Sequence, residues 1–111
     1  MVASKARKRA DPFAGLRKGV LEVLVLRLIG GEKLYVADML KRLQNAEFKT
    51  AAGTLYPLLG RLRREGLIEH EWKESSSGPP RKYYTLTRAG AQRLEALTLF
   101  WSRVNNALEA D

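Results

Sequence analysis

From Thr50 to Glu65 the apolar residues Ala51, Leu55, Leu58, Leu59 and Leu62 recur at helical spacing and gather into one stripe, the core face of a helix. The other side of that wheel carries Lys49, Thr50, Gly53, Tyr56, Pro57, Gly60, Arg61 and Arg64, a face of small, aromatic and basic residues. Such a face suits close approach to a polyanion. Its glycines remove side chains, and a proline inside a helix costs about 3 kcal/mol, so helix propensity was not the only requirement on it. Gly66 stops the helix, after which Ile68, His70 and Trp72 alternate with Glu69, Glu71 and Lys73 at the period of a strand. Ser75, Ser76, Ser77, Gly78, Pro79 and Pro80 are turn-prone, so a turn is predicted over Glu74 to Pro80, with a return strand from Arg81 to Leu86. Lys73, Arg81 and Lys82 flank this tip.

The same pattern predicts a helix on each side of this unit, and one more between. The first begins near Asp11 or Pro12 and ends at Gly30 and Gly31. From Val20 to Ile29 it is apolar on nearly every side and must be covered on every side, which so short a chain can hardly do alone. One face is therefore expected on the core and the other on a second subunit. Tyr35 to Leu43 has Met39, Leu40 and Leu43 on one side and Lys41 and Arg42 outward; its link to the next helix, Gln44 to Lys49, exceeds the tight turn of the simplest helix-turn-helix units. Thr87 is a natural N-cap for a last helix in which Leu94, Leu97, Trp101, Val104 and Leu108 recur at steps of three and four, the seam of a coiled coil. That seam is too short to be stable alone, and exposed it would form an apolar patch of the kind monomers avoid. Leu21, Leu24 and Leu28 of the first helix, with Leu94, Leu97, Trp101, Val104 and Leu108 of the last, are the predicted homodimer interface, the last helix docking on the partner's first.

Charge sharpens the picture. The 111 residues suit one domain, and a net charge of +8 favours a polyanionic partner. Residues 1–18 hold six cations (Lys5, Arg7, Lys8, Arg9, Arg17 and Lys18) against Asp11, so most of the excess lies in an N-terminal arm that could reach along DNA. Cysteine is absent, so no disulfide framework or thiolate chemistry is expected, in keeping with a reducing compartment. No apolar run approaches a membrane span, and no signal-peptide core follows the basic residues, so a soluble, cytoplasmic protein is expected. The single histidine, His70, shares a strand face with Ile68 and Trp72 and reads as a packed residue; without companions no metal or cofactor site is expected, and nothing suggests an enzyme.

These elements make a mostly α fold with a small β-hairpin: a basic arm over 1–12, a winged helix-turn-helix domain over 13–86, and a C-terminal dimerisation helix over 87–111. Gly53-Thr54-Leu55-Tyr56-Pro57 with Leu59, then Arg61-Leu62, Glu65-Gly66-Leu67-Ile68, and Lys82-Tyr83-Tyr84-Thr85-Leu86-Thr87 with Gly90, together resemble a PadR-family transcriptional regulator from about Leu16 to Trp101, specifically its compact members. Tyr35-Val36-Ala37 stands where family members commonly show Tyr-Gly-Tyr. The resemblance implies a dimeric repressor, its recognition helix in the major groove of double-stranded DNA and its wing on the backbone or in the minor groove. Thr50, Gly53, Thr54, Tyr56 and Pro57 are then expected near bases, Tyr56 foremost, while Lys49, Arg61 and Lys82, with Lys73 and Arg81 of the wing, are expected at phosphates. Two-fold symmetry predicts a palindromic operator. Leu97, Phe100 and Trp101 are candidates for a small hydrophobic or aromatic effector site between subunits. The competing reading is an interaction module whose basic surface binds an acidic protein or RNA.

Overall fold

The computed structural model describes residues 11–110. The basic arm expected over 1–12 lies almost wholly outside the described residues, Lys5, Arg7, Lys8 and Arg9 included. Four helices and a two-stranded antiparallel ribbon follow in the order α1 (Ala14–Gly31), α2 (Val36–Asn45), α3 (Ala52–Arg64), β1 (Ile68–Ser75), β2 (Gly78–Leu86) and α4 (Arg88–Glu109). This is the mostly α winged-helix architecture that the periodicities predict. Among the described residues no helix is long and apolar enough to cross a membrane.

The core is Leu21, Val25, Leu26 and Ile29 of α1, Met39 and Leu43 of α2, Leu55, Leu58, Leu59 and Leu62 of α3, and Leu34, Leu67, Ile68 and Tyr84. Burying a leucine or isoleucine side chain stabilises a fold by about 1.5–3 kcal/mol, so this cluster is what holds three helices against the ribbon. Ala51, predicted on the core stripe, is instead the exposed N-cap of α3. Asp11 organises the start of α1 from outside it: its Oδ1 accepts from the Phe13 N–H at 2.9 Å and its carbonyl from the Ala14 N–H at 3.1 Å.

Local chemistry explains each stop. After α3, Gly66 takes φ +76°, and the Leu67 N–H reaches back to the Leu62 carbonyl at 2.9 Å, closing a Schellman turn. The link after α2 uses the same device, Glu47 at φ 63° and the Phe48 N–H donating to the Leu43 carbonyl at 2.8 Å. That turn is why the α2–α3 link is longer than a tight one. It also moves the start of α3 past Thr50, whose hydroxyl donates to the Phe48 carbonyl at 3.3 Å; Lys49 and Thr50 therefore precede α3 and do not belong to it.

The ribbon is longer than predicted. Ser76 and Ser77 alone make the turn, and Pro79 and Pro80, expected in the loop, lie within β2. The register pairs Lys73 with Arg81 and Ser75 with Gly78, so the two prolines face Glu74 alone in a bulge. A ribbon of two strands has open edges, which is where a strand tolerates proline. Leu34, between α1 and α2, exchanges two backbone bonds with Tyr84 (2.8 and 3.3 Å), tying the ribbon's base to the core.

The last helix is anchored by its first turn. Thr87 caps it through the Gly90 N–H at 3.0 Å, and its hydroxyl donates to the Gly66 carbonyl at 2.7 Å. Gly90 is required by packing: a Cβ there would stand 2.0 Å from the Leu67 carbonyl oxygen. From this anchor α4 crosses its own chain's α1, Leu94 lying over Gly30.

Candidate nucleic-acid interface

The exposed side of α3 runs from Ala52 through Gly53, Tyr56, Pro57 and Gly60 to Arg63 and Arg64. Leu55, Leu58, Leu59 and Leu62 hold the opposite side in the core, which fixes the rotation of the helix and aims Tyr56, 55% exposed, at solvent. A Cβ on Gly53 would meet nothing within 4 Å, so no contact inside the chain demands glycine there. Close approach by an outside molecule would. Pro57 has no N–H to offer the Gly53 carbonyl, so that oxygen also lacks its helical donor.

On one flank of α3 a cleft of about 460 Å³ opens toward the wing, lined by Ala52 and Tyr56, by Tyr35, Val36, Ala37 and Leu40 of the α2 end, and by Trp72, Arg81, Lys82 and Tyr84 of the ribbon. The wing's cations lie over aromatic rings. The Arg81 guanidinium is 4.6 Å from the centre of the Tyr35 ring, which itself meets Tyr83 edge to face at 5.3 Å. The Lys82 ammonium is 5.2 Å from the Trp72 ring. Lys73, the cross-strand partner of Arg81, has its ammonium 5.8 Å from the centre of the Tyr83 ring and does not line the cleft. Burial raises the pKa of the Tyr84 phenol, which also lines this cleft.

On the other flank Thr54 and Pro57 face the N-terminal half of α1. Thr54 shares one cleft with Asp11, Arg17, Lys18, Lys49 and Thr50, and Pro57 shares a second with Lys18, Arg61 and Arg64. Of the residues expected on DNA, Gly53, Thr54, Tyr56 and Pro57 thus lie on one exposed surface, with Lys49 beside it and Arg81 and Lys82 across the wing cleft.

Arg61 does not join them. Its Nη2 lies 2.6 Å from Glu22 Oε1 and its Nη1 3.0 Å from Glu65 Oε2, while Arg93 Nη1 lies 3.5 Å from Glu22 and 3.6 Å from Glu65. Two carboxylates and two guanidiniums alternate in a closed ring that joins α1, α3 and α4. Hydrogen bonding to Glu22 pushes the Arg61 pKa above its ordinary value. Opposite charge within hydrogen-bond reach thus satisfies this cation inside the fold.

Trp72 is the residue sequence reasoning missed. Alternation placed it with Ile68 and His70 on the packed side of β1, but that face runs off the core: Ile68 is buried, His70 half-buried and Trp72 63% exposed. The His70 ring meets Trp72 edge to face and Tyr84 at a tilt, with ring centres 6.5 and 5.8 Å apart, and burial, with Arg63 and Lys82 nearby, lowers its pKa.

The residues expected at a dimer interface divide. Leu21 is 3% exposed within its own chain, so it is core. Leu24, Leu28, Leu94 and Leu97 are half-buried against that core. Val20, Val23 and Leu24 of α1 and Leu94, Thr98 and Trp101 of α4 line an apolar groove between the two helices. Trp101 is 41% and Leu108 77% exposed, and Val104 half-buried; Phe100 is exposed outside the groove that Trp101 lines.

Comparison with known proteins gives this geometry a context. Residues 25–96 match the model of the transcriptional regulator PadR-like family. A PadR-like transcription factor from Bacteroides fragilis is 41% identical, with 86% of this chain and 92% of that one covered and a TM-score of 0.76. A PadR-like transcriptional regulator from Bacillus cereus is 38% identical over 87% of this chain and 99% of that one, at a TM-score of 0.76. A Streptococcus transcriptional regulator is 36% identical over 85% and 93%, at a TM-score of 0.78.

Proposed function

This chain belongs to the PadR-like family of transcriptional regulators, and from that premise we propose that it acts as a homodimeric repressor on a palindromic DNA operator. The observation that carries the DNA reading is the bare, small-residue face of α3 between two basic clefts. An α-helix with its side chains is about 10–12 Å across and the major groove of B-DNA about 12 Å wide, so such a face can enter the groove. Tyr56 and Thr54 then stand at base edges, Gly53 and Pro57 let the helix lie close, and Lys49, Arg81 and Lys82 reach phosphates. Trp72 joins this set as an apolar surface beside Tyr56.

The homodimer is supported by α4. Of its 22 residues only Gly90 is buried, while Leu99, Phe100, Trp101 and Leu108 are exposed. Phe100, Trp101 and Leu108 fall on one side of the helix, and an exposed apolar surface of this kind marks an association site. A second copy that covers the α1–α4 groove would seat Trp101, Val104 and Leu108 against Val20, Val23 and Leu24. The two recognition helices would then read half-sites about one helical turn, roughly 34 Å, apart. A small aromatic or lipophilic effector would take the groove at Trp101 and, by altering the packing there, release DNA.

Selection of bound sequences from random duplex DNA by the purified protein, followed by sequencing, tests the reading. A palindromic motif is expected. Recovery of unselected DNA would overturn sequence-specific regulation and favour a module for acidic proteins or RNA.

A further inference from the structure

A helix seated in the major groove has a phosphate backbone along both of its flanks. The wing supplies cations on one flank only. On the other, Arg17 and Lys18 of α1 and Lys49 of the α2–α3 link line a single cleft with Thr50 and Thr54, the last projecting from α3 itself. Among the described residues Lys18 and Lys49 have no carboxylate partner, and Arg17 holds only Asp11, Nε to Oδ2 at 3.1 Å. That pair is exposed on both sides, so it contributes little stability and is readily exchanged for another anion. Asp11 thus shows what the cleft accepts, an anionic oxygen at Arg17, and its carboxyl is held below its usual pKa by the Phe13 N–H and by Arg17.

We propose that Arg17, Lys18 and Lys49 form a second backbone clamp, which takes phosphates of the DNA strand on the side of the recognition helix away from the wing, with Asp11 as an internal competitor for Arg17. The proposal rests on the DNA reading of α3 and adds a site to it. Thr54, which projects from α3 into the same cleft, can donate its hydroxyl hydrogen to the same strand. The contacts are sequence-independent, so they set the register of α3 in the groove and leave the choice of bases to Tyr56 and its neighbours.

The test is the salt dependence of binding to a 30-base-pair mixed-sequence duplex, measured by fluorescence anisotropy. Each phosphate contact contributes about 0.9 to the slope of log affinity against log salt. Arg17→Gln/Lys18→Gln is expected to lower the slope by about 1.8 per bound subunit and affinity on the order of 30-fold at 0.15 M salt, relative to the 1 M limit. Lys49→Gln lowers the slope by about half as much, and Lys18→Arg keeps it. Asp11→Asn, which retains the oxygen that caps Phe13, should tighten binding. Arg103→Gln on α4 serves as the charge control and should leave the slope unchanged. If Arg17→Gln/Lys18→Gln keeps the wild-type slope while Arg81→Gln/Lys82→Gln lowers it, the clamp is overturned and the wing's role stands. If the wild-type protein shows no salt-dependent binding to duplex, the DNA reading falls and the clamp with it.

Discussion

Replacing Glu22 by glutamine would remove one charge from the ring that joins α1, α3 and α4 while keeping its shape. The Glu22 carboxylate is only 14% exposed, and it lies 2.6 Å from Arg61 and 3.5 Å from Arg93. After substitution the two guanidiniums share Glu65 alone. A hydrogen bond to a charged group contributes about 1.5–3 kcal/mol, but Arg61 and Arg93 are 38% and 41% exposed, and water screens that value toward the 0–1 kcal/mol of surface pairs. A loss of about 1–2 kcal/mol is the balance. For a domain of this size each kilocalorie shifts the melting temperature by about 4–8 °C, so Glu22→Gln should melt about 4–16 °C lower. Melts belong at one fixed protein concentration, because association also stabilises. They should be run in low salt and in 1 M NaCl, where the difference should shrink. Coincident low-salt melts, or a difference unchanged at high salt, would refute the charge argument. The same variant tests whether Arg61 is a phosphate ligand or a structural residue. Freed from Glu22, a phosphate ligand would tighten duplex binding, whereas a structural arginine would leave it unaltered.

Gly90→Ala should destabilise the fold by about 1–3 kcal/mol or more, since the added carbon meets a backbone oxygen that cannot rotate away; urea titration measures it. Tyr56→Ala should abolish binding to the selected operator and leave the melting temperature within about 4 °C, because Tyr56 is exposed and its removal is an ordinary surface substitution. His70, with a folded pKa below its ordinary 6.5, binds a proton more readily when unfolded; stability should therefore fall as pH drops below about 6.5, and Gln at position 70 should flatten that limb of a melting profile. Trp101→Asp should shift the protein to monomer in sedimentation velocity at micromolar concentration, and a variant that still sediments as a dimer would move the interface elsewhere on the surface.

The sequence by itself determined the elements and their order. The leucine stripe of α3, the alternation from Ile68, the stop at Gly66 and the cap at Thr87 are local patterns, and a few neighbouring residues suffice to specify each. The exposed face of α3 was legible for the same reason, since fixing the apolar side of a helix fixes its other side. The tertiary structure decided what contacts between distant residues decide. Glu22 claims Arg61 and Arg93 across 39 and 71 positions of sequence, and no periodicity tells which of many arginines is paired. Leu21 and Val20 are equally apolar, yet the first is core beside α3 and the second lines the groove along α4, because only the packing of the other helices sorts a helix that is apolar all round. Trp72 keeps a strand's alternation but outruns the core that would bury it, and Pro79 and Pro80 remain in a strand because the bulge opposite Glu74 asks no hydrogen bond of them. Arg17 and Lys18 counted only as part of a basic arm until the fold set them beside Lys49 and Thr54.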